Sequence, residues 1–146
     1  MSVAFRNVDV PPDADVDEWP YEALVTVIER GTIGDWARVT GEMRRDPWGP
    51  VTRQVEQYLS YAQPWGVGPL LQRAITAARH SAESADRAEV AAEVRALVEQ
   101  SGLSVTEFAS RIGTSRTRLS TYRTGGVTPS AALLVRMRRV AADVSR

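Results

Sequence analysis

Apolar residues recur three and four apart in successive stretches, the spacing of one helix face. Residues 19–30 carry Leu24, Val27 and Ile28 on such a stripe, with Pro20 suited to a first turn and Gly31 to an end. The β-branched run of Val25, Thr26, Val27 and Ile28 leaves a strand as the alternative. Residues 32–45 repeat Ile33, Trp36, Val39 and Met43, a pattern weakened by Gly34 and Gly41. Residues 50–62 place Val51, Val55, Tyr58 and Leu59 on a third stripe. Residues 69–100 contain no internal Pro or Gly and read as one long helix. Its first apolar face is Leu70, Leu71, Ala74, Ile75 and Ala78, and its last is Val90, Val94, Leu97 and Val98. Between them residues 80–87 are small and polar, where a break and a solvent-crossing rod both remain open. Two short helices follow over 103–124, then a last helix over about 130–144 with Leu133, Leu134, Met137 and Val140 facing inward. Thr128 is its expected cap and Pro129 its first position.

The pattern predicts an all-α fold in three parts. Residues 1–18 hold Pro11, Pro12, Asp13, Asp15, Asp17 and Glu18, and read as a mobile acidic tail. The aspartates lack the loop glycine and terminal glutamate of a calcium loop. Residues 19–86 read as a helical dimerisation or partner domain with a linker helix, and residues 87–146 as a second domain. Two Pro-Trp-Gly turns flank the third helix. Trp48 and Trp65 either form an aromatic partner surface or pack the ends of a small domain, and packing is the expected role of at least one.

Charge sharpens this division. Residues 1–86 hold 13 acidic and 8 basic side chains, residues 87–146 hold 5 and 10, and the net charge of zero conceals the difference. Seven arginines and no acid fall between Arg111 and Arg139. A basic half on an acidic half points to a nucleic-acid module carrying something else. All 18 basic residues are Arg, which fits a GC-rich genome before it fits selection for guanidinium chemistry. Cysteine is absent, so disulfides and thiolate metal sites are excluded and a cytoplasmic location fits. No apolar run approaches a membrane span, and no secretion signal is expected. His80, the single histidine, has no partner in sight for catalysis or metal binding. With no phosphate loop and no paired acid motif, no enzyme activity and no cofactor are expected. Asp35 and Glu42, seven apart on one helix face, are expected to be solvated surface charges.

The chemistry concentrates in residues 103–124. Phe108 and Ile112 share one face of the first short helix, and Leu119 and Tyr122 share one face of the second. Ala109 is small where two helices approach. Gly113 sits where the first helix must stop, a position that favours φ > 0. Ser115 is placed to cap the next helix, about 116–123. Arg116 and Arg118 fall in its first turn, where cations oppose the helix dipole. A bound phosphate resolves that conflict, because the exposed N–H groups and both guanidiniums then face one anion.

Residues 95–140 resemble the phage-repressor, Cro-like (XRE) helix-turn-helix family. The resemblance rests on Gly102-Leu103-Ser104, Glu107-Phe108-Ala109, Ile112-Gly113-Thr114-Ser115, Leu119-Ser120, Tyr122, Gly125 and Thr128-Pro129-Ser130. Val105 stands where the family commonly has a phosphate-holding Gln, and Arg123 where it commonly has Glu. The resemblance implies sequence-specific binding of double-stranded DNA by a transcription regulator, with the helix at about 115–123 in the major groove. It assigns base edges to Arg116, Thr117 and Thr121, and phosphates to Ser115, Arg118, Ser120 and Arg123. It further implies a homodimer, with the N-terminal helices holding the copies together or binding a protein partner such as a toxin. The alternative, from another class, is a protein–protein adaptor whose helix-turn-helix does not read DNA.

Overall fold

The computed structural model describes residue 11, residues 13–144 and residue 146. Among these the chain is all-α. A 3₁₀ turn (Val16–Glu18) precedes α1 (Tyr21–Arg30), α2 (Ile33–Arg45), α3 (Pro50–Ala62), α4 (Val67–Ser101), α5 (Val105–Ile112), α6 (Arg116–Thr124) and α7 (Ala131–Val144). The chain divides into two compact units, Met1–Ala82 and Glu83–Arg146, a boundary slightly earlier than the residue 87 read from the sequence. Helix α4 runs for 35 residues through the polar stretch where a break had been open.

The first unit buries Leu24, Val27 and Ile28 of α1, Val39 and Met43 of α2, Val51, Val55 and Tyr58 of α3, and Val67, Leu71 and Ile75 of α4. Trp36, Leu59 and Ala74 pack against this set half-buried, and two expected core residues face solvent. Ile33 is 80% exposed and Leu70 is 50% exposed. At 3.6 residues per turn, each projects about 100° from the buried line of its own helix. Asp35 corrects the sequence reading in the opposite direction, for it is only 4% exposed. Its carboxylate accepts from the Thr32 N–H at 3.0 Å while its own N–H donates to Thr32 Oγ1 at 3.3 Å, a closed capping box. Glu42, the other carboxylate of that pair, is bonded by Arg45.

The expected mobile tail is also corrected where it is described. Val16 is buried in the core of the first unit. The Ala14 carbonyl accepts from Trp19 Nε1 at 3.1 Å and from Arg38 Nη2 at 2.8 Å, and the Arg38 guanidinium lies 4.8 Å from the centre of the Trp19 ring. Val16 and the Ala14 carbonyl are thus tied to the fold, finding partners that proline and acid content do not disclose, while Asp15, Asp17 and Glu18 stay exposed. Residues 1–10 and 12 of the tail lie outside the described residues.

The second unit gathers Val94, Leu97 and Val98 of α4 with Phe108, Ala109 and Ile112 of α5, Leu119 and Tyr122 of α6, and Met137 and Ala141 of α7. Full burial of a side chain such as Phe108 stabilises by roughly 1.5–3 kcal/mol. On α7 the innermost line is Met137 and Ala141, with Leu133, Leu134 and Val140 half-buried at its margin. The cap of α7 is Ser130, not Thr128. Ser130 Oγ accepts from the Leu133 N–H at 3.1 Å, and buried Pro129 precedes the helix.

Candidate nucleic-acid interface

Helix α5 starts at Ser104, whose hydroxyl accepts from the Glu107 N–H at 3.1 Å. It stops at Gly113, held at φ 78° and ψ 33°, with the Thr114 N–H turned back onto the Ala109 carbonyl at 2.9 Å. The turn at 113–115 then launches α6. Ser115 Oγ accepts from the Arg118 N–H at 3.1 Å, so Ser115 is the N-cap that its spacing foretold. Helix α6 ends at Gly125 with φ 82°, and the carbonyl of Arg123 near that end accepts from Arg95 Nη1 at 2.6 Å.

Leu119 and Tyr122 anchor α6 to the core and so determine which face is left outside. Thr117 and Ser120 lie on that outer face, both exposed, with half-buried Thr121 beside them. Arg116 and Arg118 are exposed and project from its opposite edges, and neither guanidinium has a hydrogen bond or ion pair among the described residues. The N–H groups of Arg116 and Thr117 likewise have no acceptor there. Two unpaired guanidiniums, two free backbone donors and the positive end of the helix dipole therefore share one turn.

The remaining proposed contacts differ in what they have to offer. Ser115 keeps its hydroxyl hydrogen, because its bond to Arg118 uses only a lone pair. Thr121 Oγ1 donates to the Arg118 carbonyl at 2.6 Å, which leaves a lone pair and the methyl group for a ligand. Arg123 is half-buried, and its Nε is shut away without a hydrogen bond among the described residues. Only its terminal nitrogens remain for a phosphate.

The basic run of the sequence is less uniform in the structure. Arg136, one of the seven arginines of that run, donates to the Ile112 carbonyl at 2.7 Å and closes the end of α5. Arg138 donates to Glu93 Oε1 at 2.7 Å, and that hydrogen bond holds the Glu93 carboxyl below the usual carboxylate range. Arg111 pairs with Glu107 at 3.7 Å on the same helix. Arg139 stays exposed, and neither it nor Arg116 nor Arg118 is spent on the fold. These long-range partners could not be found from the sequence, because nothing in local spacing links α4 or α5 to α7.

No helix among the described residues is long and apolar enough to cross a membrane. The family model described as a helix-turn-helix domain matches residues 89–144, from the last turns of α4 to the end of α7. The match supports residues 89–144 as a helix-turn-helix domain of DNA-binding type. No curated protein and no solved structure matches the chain.

Proposed function

We propose that this chain is a sequence-specific binder of double-stranded DNA that regulates transcription, with α6 as the helix that enters the major groove. The observation that carries this reading is the first turn of α6, where Arg116 and Arg118 are exposed and unpaired beside free backbone N–H groups. A surface helix gains nothing in the free protein from cations at that end. A duplex supplies both the phosphate that the dipole favours and the base edges that guanidiniums read.

In this reading Arg116 pairs with a guanine edge, and Thr117 meets a neighbouring base. Thr121, its hydrogen already committed, offers its methyl to thymine or its lone pair to a base amino group. Ser115, Arg118, Ser120 and the outer nitrogens of Arg123 hold phosphates and set the register. One nine-residue helix spans few base pairs, so two copies on two half-sites give the needed affinity. The phage-repressor-like subtype, a cytoplasmic location and an antitoxin role, in which the first unit also binds a toxin, are finer parts of the same proposal.

The adaptor reading keeps one observation in its favour. Val105 is half-buried against the core of the second unit and offers no polar group to a phosphate. Selection of bound duplexes from random DNA by the full chain separates the two. Enrichment of a defined motif supports the regulator, and no enrichment with retained fold supports the adaptor.

A further inference from the structure

The first unit carries an apolar surface that its own fold does not use. Trp65, in the turn between α3 and α4, is 99% exposed. Grooves lie on both sides of it. One is lined by Ile28, Glu29, Trp36, Tyr58, Ala62 and Leu70, and the other by Leu59, Pro69, Gln72 and Arg73. Tyr61 is 64% exposed and packs edge-on against Tyr58, ring centres 5.7 Å apart. Exposed Ile33 stands one turn before Trp36 on α2. Isolated exposed apolar residues are ordinary, but a contiguous patch with an indole standing out of it marks an interaction surface.

We infer that this surface is where a second copy of the chain docks, with Trp65 of each copy seated in the groove beside Trp65 of the other. Three observations select a second copy as the occupant. The first is self-complementarity, since the knob and the apolar hollow that receives it lie side by side on one face, as an isologous pair requires. The second is charge. Glu29 lies in one groove and Arg73 in the other. Glu29 Oε1 accepts from the Tyr58 hydroxyl at 2.8 Å, which leaves Oε2 for a further donor, and Arg73 has no partner among the described residues. A two-fold axis running between the grooves brings acid to base twice. The third is area. Ile33, Tyr61, Trp65 and Leu70 expose on the order of 500–600 Å² per copy, taking roughly 150–250 Å² for a full large side chain. Doubled, that reaches the lower range of specific stable interfaces, about 1,200 Å².

This inference names the partner surface behind the two-copy reading above, yet its test needs no DNA. The full chain is examined by sedimentation equilibrium from 1 to about 100 μM, alone and as Trp65→Asp, as Arg73→Glu, and as Arg73→Glu with Glu29→Arg. The wild type is expected to be a dimer. Trp65→Asp should raise the dissociation constant at least about thirtyfold, the effect of losing a central aromatic anchor. Arg73→Glu should raise it about tenfold, and the double variant should recover most of that loss. Trp65 and Arg73 are exposed, so circular dichroism of both single variants should match wild type. A monomeric wild type at about 100 μM overturns the inference and leaves the patch to an unrelated protein. A Trp65→Asp chain that stays dimeric overturns it too. Either result leaves DNA reading by α6 standing, and a dimer that ignores DNA leaves this surface standing.

Discussion

Gly113 suits its position in two ways. It holds φ at 78°, and it leaves room for Arg136, whose Nη1 would lie 3.3 Å from an added Cβ. Gly113→Ala should therefore cost about 1–2 kcal/mol for the left-handed backbone alone, with a further loss as Arg136 is pushed from the Ile112 carbonyl. Urea unfolding measures this, and an unchanged midpoint would contradict it. A second single-residue effect depends on pH. The hydrogen bond from Arg138 lowers the Glu93 carboxyl, burial opposes it, and the guanidinium charge adds to the lowering. A carboxylate depressed in the folded state contributes stability above its unfolded value and loses it as pH falls through the folded one. Glu93→Gln should make the acid limb of the stability profile shallower and leave a wild-type slope near neutral pH. Both side chains are partly exposed, so the change is small.

At the scale of elements, helix period and caps show how far the sequence could be read. The stripes of α1, α3 and α5 gave their cores directly, because consecutive apolar positions fall on one face. The stripe of α2 misled at Ile33, since a spacing of three tolerates a residue well off the buried line. Leu70 misled because the buried line of α4 runs through Val67, Leu71 and Ile75 and leaves its neighbour on the flank. The Thr32–Asp35 box was legible as a Thr three residues before an acid, but the acid had been read with Glu42 as surface charge. Thr32→Ala should lower stability by about 1 kcal/mol, checked by thermal unfolding; no change would mean the box is idle. On α6 the local signals were enough for Ser115, Gly113, Leu119 and Tyr122. They could not reveal Arg95 on the Arg123 carbonyl, Arg136 on Ile112 or Arg138 on Glu93, with sequence separations of 28, 24 and 45 residues. Those contacts depend on how the helices pack, and they turn much of a basic run into structure.

On the scale of the whole molecule, the proposed division of tasks between the two units can be tested one unit at a time. Removing residues 1–18 deletes buried Val16 and the Ala14 carbonyl that Arg38 and Trp19 hold. That truncation should cost the first unit about 1–3 kcal/mol, a loss of several degrees in melting temperature; a melting curve superimposable on wild type would contradict it. It should leave DNA contacts of the second unit intact. The proposal that α6 reads DNA through its first turn is put to the test by Arg116→Ala beside Arg118→Ala. Isotherms are measured at several salt concentrations on a selected site and on scrambled duplex. The expected result is a difference in kind. Loss of Arg116 costs about 1–3 kcal/mol on the selected site and relaxes preference at one base pair per half-site. Loss of Arg118 weakens binding to all duplexes alike and flattens the salt slope by about one unit per contact. Wild-type affinity and wild-type salt slope in both variants would contradict the claim, and α6 would not be the helix that meets DNA.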